Sequence, residues 1–354
     1  MAQQLNQTTE FRKAAAWFAW LVAAFMPLSV QANIDEPDQT TAATEETPET
    51  QDACDWKLKD QEIQEQTREV FRGAACHTFR WFDGLFGDEQ DYPENEIKGW
   101  TIFGAEYTQY DGFDPRLRVR VRAPLPNMNR RWDLILGRVD ETSYVSDTDL
   151  ENKTFFNPGA VNEQDDEPEW LLGLGHRGRS KRSGWDWSAG VRLRLPPRPY
   201  AKLQYYYNKS FSQDTALSFR QTFFWRSDDG FGTTSRGEVT HDIDASNVMR
   251  FEGIATNSDV TLGWDWYVGH TWYHRFSGKN GISLLTFVNG ETDNPVVLKD
   301  YGFNLIWRRP FTREWMFLSM GPSLTWPREL ESEEREMSLG FGVWIEIEFG
   351  DWRY

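Results

Sequence analysis

The stretch Arg116-Leu-Arg-Val-Arg-Val-Arg-Ala123 restricts the fold more than any other segment of the chain. A period of two sends Arg116, Arg118, Arg120 and Arg122 to one side of an extended strand and Leu117, Val119, Val121 and Ala123 to the other. Such a strand needs a wet or charged environment on one face and an apolar one on the other. The pattern recurs. Trp132, Leu134 and Leu136 alternate with Asp133 and Gly137, and Trp185, Trp187, Ala189, Val191, Leu193 and Leu195 alternate with Asp186, Ser188, Gly190, Arg192 and Arg194. Leu217, Phe219, Phe223 and Trp225 alternate with Ser218, Arg220 and Thr222, and Met249 and Phe251 flank Arg250. Leu262, Trp264, Trp266 and Val268 flank Gly263, Asp265 and Tyr267, and Leu339, Phe341, Val343, Ile345 and Ile347 alternate with Gly340, Gly342, Glu346 and Glu348.

Repeated alternation of this kind predicts antiparallel strands with one polar face. The apolar faces often begin or end in Trp, as the aromatic girdle of a membrane barrel requires. Twelve to fourteen strands fit between residues 99 and 349, with residues 196–215 and 270–282 open to either reading. The connections differ in character. Short Pro-containing turns are read at residues 124–129 and 308–312. Residues 140–169 hold ten carboxylates against one Lys, and residues 327–336 hold five Glu against two Arg. Strand parity counted from the C-terminus puts both acidic loops on the outer side, where transmembrane barrels carry their longer loops.

Composition agrees without deciding. Aromatic residues make up 15% of the chain, yet hydrophobic residues only 39%, and mean hydropathy is −0.67. A net charge of −17 argues against a nucleic-acid partner.

The N-terminal third reads differently. Arg12 and Lys13 precede an apolar run from Ala14 to Met26, Pro27 ends it, and Val30-Gln31-Ala32 has the small residues of a cleavage site. Residues 1–32 are therefore read as a signal peptide, too short in its apolar core for a comfortable span. Residues 33–53 are acidic and Thr-rich, a disordered linker by composition. Residues 54–98 carry apolar groups at helical spacing and are read as a short helical periplasmic or plug segment. Cys54 and Cys76 are expected to pair in an oxidising compartment. A disulfide needs Cα atoms within ~7 Å, so the segment must fold back on itself.

At the end of the chain, Phe341-Gly-Val-Trp-Ile-Glu-Ile-Glu-Phe349 followed by Tyr354 resembles the last strand of Gram-negative outer-membrane β-barrel proteins. The resemblance covers residues 99–354 and is to the broad class. Here Gly350-Asp-Trp-Arg breaks the usual phase before the final aromatic. It implies an all-β, antiparallel transmembrane barrel in the outer membrane. It also implies lipid and lipopolysaccharide around the barrel, insertion machinery as a partner, and a monomer.

The chemistry lies in the arginines. If the polar face of Arg116, Arg118, Arg120 and Arg122 is the lumen, Arg192, Arg194, Arg220 and Arg250 add to it, and a row of cations in a narrow passage favours anions. Acidic sugars or other carboxylated solutes would suit it. Alternatively Glu106, Asp133, Glu346 and Glu348 balance the arginines and the interior is an occluded network, because buried charges must be paired. That would make a structural or assembly barrel. A lipid hydrolase is a third reading, but neither His176 nor His270 stands in the H-x-S-N-G context of outer-membrane phospholipases. Asp165, Asp166 and Glu167 match no calcium loop, and no cofactor, metal or catalytic residue is assigned. Tyr205, Tyr206 and Tyr207 read as membrane-interface aromatics.

Overall fold

The structure, a computed structural model, describes residues 98–125, 131–139, 141–148, 169–178, 180 and 182–349. Among them run fourteen strands. In chain order they are β1 (Lys98–Thr108), β2 (Gly112–Pro124), β3 (Trp132–Val139), β4 (Glu169–His176), β5 (Ser183–Arg192), β6 (Arg198–Ser210) and β7 (Thr215–Arg226). There follow β8 (Gly230–Asp242), β9 (Asn247–Ser258), β10 (Asp265–Ser277), β11 (Asn280–Glu291), β12 (Leu298–Phe311), β13 (Arg313–Thr325) and β14 (Ser338–Phe349). One short helix, α1 (Glu141–Ser146), follows β3. Every strand pairs antiparallel with its sequence neighbours, and β1 pairs with β14 from Gly99↔Phe349 to Thr108↔Gly340, which closes the barrel.

The count settles at fourteen because both open stretches are strands. Residues 196–215 hold β6, and residues 270–282 hold the end of β10 and the start of β11. The turn expected at residues 308–312 is smaller than expected. Strand β12 runs through Pro310 to Phe311, and Thr312 alone makes the connection, at φ +58°. Pro310 sits at the strand's end, where the loss of one N–H donor costs least.

Directly opposed residues in an antiparallel pair share a face, so one strand's polarity propagates around the ring. Trp100↔Arg120, Arg120↔Gly137 and Trp100↔Glu348 place the β2 arginines and the β14 glutamates on one common face. That face is the interior. Glu106, Asp133, Arg192, Arg226, Arg236, Glu252 and Glu346, all on it, are buried. The opposite face carries the exposed large apolar groups, among them Phe103, Phe113, Trp185, Phe223, Phe251, Val268, Leu305 and Phe341. Apolar outside and charged inside is the reverse of a soluble protein, and it suits a barrel surrounded by lipid. Twelve of the strands have ten or more residues, enough to cross a hydrocarbon core when tilted. Aromatic pairs mark the outer face near the end where β1 begins, with Trp132 against Trp187 at 5.0 Å and Trp185 against Tyr205 at 5.1 Å.

The export signal, the linker, the helical segment, Cys54, Cys76 and the carboxylates Asp165, Asp166 and Glu167 lie outside the described residues.

Candidate functional site

Strand β2 presents Arg116, Arg118, Arg120 and Arg122 to the lumen along its length. Arg116 is answered by Asp114 two residues away, Nε to Oδ2 at 2.5 Å. Among the described residues no carboxylate lies within 4 Å of Arg118, Arg120 or Arg122. Lys202 of β6 is in the same position. It donates to the Tyr144 carbonyl at 2.8 Å, and its charge meets a ring instead of an acid.

The ring belongs to α1. The acidic connection was expected to stay outside the barrel, yet its start folds inward against β6, β7 and β8. Tyr144 and Val145 pack with Ile135, Leu171, Tyr200 and Phe224, all on the inner face, which gives the segment an apolar anchor. The Tyr144 ring receives two cations, the Arg120 guanidinium at 4.7 Å from its centroid and the Lys202 ammonium at 4.4 Å. Such contacts strengthen when desolvated. Asp147 then points its carboxylate at the β6–β7 wall, where Gln204 Nε2 donates at 2.8 Å and Arg220 Nε stands at 3.4 Å.

Other inward arginines, and Lys299, each meet a carboxylate. Arg236 pairs with Glu252, both nearly inaccessible, and Arg250 pairs with Glu238 at 2.5 Å. Lys299 pairs with Glu291 at 2.8 Å, and Arg308 reaches Glu346 at 2.7 Å and Glu348 at 3.4 Å. A cavity of about 890 Å3 opens between these pairs, lined by Glu238, Arg250, Tyr273, Arg308, Trp344 and Glu346. Arg192 and Arg198 both bind Asp228, in the connection 227–229, and Arg226 binds Asp229 at 2.8 Å. Burial works to raise the Asp228 pKa, but the hydrogen bonds from Arg192, its own backbone and Arg198 outweigh it, and the net shift is downward.

Of the residues singled out in the sequence, Arg116, Arg118, Arg120, Arg122, Arg192, Arg220, Arg250, Glu106, Glu346 and Glu348 all face the interior. Arg194 does not. It lies in the exposed bend after β5. Of the expected carboxylate neighbours of the ladder, Glu106 on β1 and Asp133 on β3 do stand on the strands beside it, at its two ends, whereas Glu346 and Glu348 are set apart. Strand β1 stands between β2 and β14, and at the level of the glutamates it contributes Trp100 and Ile102. These join Trp344 and Ile306 in an apolar cluster that separates the arginines from Glu346 and Glu348. Gly104 makes room for it, since a Cβ there would come within 2.5 Å of the Trp344 Cβ. Asp133, inward and buried, is taken from the other side by Arg177, in a two-pronged contact at 2.5 and 2.7 Å.

His176, opposite Trp132, and His270, opposite Phe251, are on the outer face. Tyr205 and Tyr207 face outward too, whereas Tyr206 shares the inner face with Arg220. Residues the sequence reading missed are Tyr144, Asp147, Lys202, Arg236 and Arg308. Lys202 lay in a stretch left open, and Arg308 in one read as a turn.

No protein-family profile matches the chain, and no curated protein matches it in sequence. Solved structures similar to it include porins and an outer membrane protein. The KdgM porin in complex with disordered oligogalacturonate is 8% identical, covering 71% of this chain and 99% of its own, at a TM-score of 0.35. The anion-selective porin from Comamonas acidovorans is 11% identical, with 72% and 98% covered and a TM-score of 0.41. OmpT of Vibrio cholerae is 9% identical, with 72% and 96% covered and a TM-score of 0.38. Values this low leave the functional reading to this chain's own residues.

Proposed function

We propose that the chain is a Gram-negative outer-membrane channel for passive passage of small solutes, with anions favoured by Arg118, Arg120, Arg122 and Lys202. One observation carries this. Three successive inward guanidiniums have no carboxylate partner among the described residues, although the same barrel pairs its other interior arginines. An occluded structural network would have no reason to leave three inward guanidiniums without an ion pair among the described residues, because unpaired buried charge is costly. A wall meant to meet a mobile anion requires it, and low-dielectric surroundings strengthen its field. Outer-membrane placement needs export. The signal peptide in residues 1–32, the linker 33–53 and the Cys54–Cys76 segment within 54–98 belong to the same proposal.

The occluded alternative draws on a specific feature, the apolar cluster around Tyr144 inside the barrel. Planar-bilayer recording of refolded protein separates the two. The channel reading expects steady conductance and an anion-biased reversal potential. Changing Arg118 and Arg120 together to Gln should lower the anion-to-cation permeability ratio by about tenfold, the equivalent of ~1.4 kcal/mol across the barrier. Intact folding with no conductance would favour the structural barrel.

A further inference from the structure

The residue after α1 has a backbone that its type seldom adopts. Asp147 sits at φ +65°, in the left-handed region that only Gly, and less often Asn and Asp, visits routinely. Strain of this kind persists where surrounding contacts over-determine it, and here the side chain's own contacts are made by its carboxylate. Gln204 Nε2 donates to Oδ2 at 2.8 Å, the Thr222 hydroxyl donates to the same oxygen at 3.3 Å, and the Arg220 Nε stands 3.4 Å away.

These partners are built into the barrel wall and owe nothing to α1. Gln204 is directly opposite Thr222 across the β6–β7 pair, its amide also 3.1 Å from the Thr222 hydroxyl, and Arg220 occupies the next inward position on β7. Thr222 is wholly inaccessible. An amide, a hydroxyl and a guanidinium converging on one oxygen make a carboxylate-binding set. Its present occupant is the chain's own side chain, on a segment that also covers Arg120 and Lys202 through Tyr144.

We infer that Gln204, Thr222 and Arg220 form a carboxylate subsite of the passage, and that Asp147 is its tethered occupant, competing with carboxylated solutes. The inference rests on the channel reading above. A tethered group acts at a high effective concentration, so solute carboxylates displace Asp147 only when abundant. Asp147 is thus a specificity-determining residue that sets how much carboxylate is needed to fill the passage.

The test uses the full-length mature protein in planar bilayers, with sodium acetate as the probe. Asp147→Asn tolerates the left-handed backbone and still accepts from Gln204, so it removes the charge alone. It should lower the acetate concentration for half-maximal conductance by about threefold or more and raise the anion-to-cation permeability ratio. Arg220→Gln alone should change little, because Asp147 already answers that charge. Added to Asp147→Asn, it should abolish the gain. Strict additivity of the two changes overturns the inference. So does an Asp147→Asn protein, with unaltered heat-modifiable mobility, that saturates with acetate as the parent does. If Asp147→Ala and Asp147→Asn both reduce conductance equally, Asp147 is a structural pin and the subsite is refuted. An anion-selective parent with an unresponsive Asp147→Asn removes the subsite and leaves the channel. A parent with no anion preference removes both.

Discussion

The two walls of this lumen use arginine for opposite purposes. On β8, β9 and β12 each inward arginine is locked to a glutamate, as in Arg236–Glu252, Arg250–Glu238 and Arg308–Glu346. On β2 the arginines Arg118, Arg120 and Arg122 face the interior with no carboxylate within 4 Å among the described residues, and Arg120 meets an aromatic ring instead. Both walls have the same residue type on the same face of the same kind of strand. What differs is the local register: on the paired wall a carboxylate comes within 4 Å of each guanidinium, whereas Ile102 and Trp100 stand directly opposite Arg118 and Arg120. A fold can therefore hold a charge in reserve by choosing its cross-strand neighbours, without altering the charge itself.

The comparison can be broken from either side. The largest effect is expected on the paired wall. Glu252→Ala strands the nearly inaccessible Arg236 and should cost about 3–5 kcal/mol of stability, read from urea unfolding with Trp fluorescence. A change below about 1 kcal/mol would mean that these pairs are screened by water and the two walls are alike. Next, Ile102 directly opposes Arg118, and opposed side chains approach to about 5 Å. Ile102→Glu should give Arg118 a partner and lower the anion-to-cation permeability ratio about as much as Arg118→Gln does. No change in the ratio would show that the apolar cluster does not isolate the ladder. Arg118→Gln itself should alter stability by less than about 1 kcal/mol, since it breaks no ion pair among the described residues. A large loss would identify a hidden structural role.

The smallest effect concerns pH. Asp228 has its pKa lowered in the folded barrel, so its contribution is complete above the ordinary carboxylate range of about 4 and is lost only as pH falls through the lowered folded value. Unfolding midpoints should hold steady above the ordinary carboxylate range on this account and decline as pH falls from about 4 toward the lowered folded value, and Asp228→Asn should remove that part of the decline.

Much of this was legible beforehand, and the exceptions have physical causes. Period-two alternation is local, so the inward direction of Arg116 to Arg122 and the outward direction of Trp185, Phe223 and Phe341 could be read from spacing alone. Pairing partners are not local. Glu346 and Glu348 were expected beside the ladder because β1 and β14 must meet on closure, but only the register shows Trp100 and Ile102 intervening. Acidic composition reads as a solvated loop, and it concealed the inward turn of α1, whose anchor is two residues, Tyr144 and Val145. Arg177 lies in a connection, so its capture of Asp133 left no periodic trace. Pro310 and Thr312 looked like a turn together, although only Thr312 makes one.

The closing ladder between β1 and β14 joins residues about as far apart in sequence as the barrel allows, from Gly99↔Phe349 to Thr108↔Gly340. Loop closure must precede any reward from such contacts, which makes this the slow end of assembly. Until the last strand arrives, two long edges stand open with unsatisfied backbone groups, each a template for a neighbouring chain. The lifetime of that unclosed sheet, more than the stability of the finished cylinder, should govern how much protein is lost to aggregation on the way to the membrane.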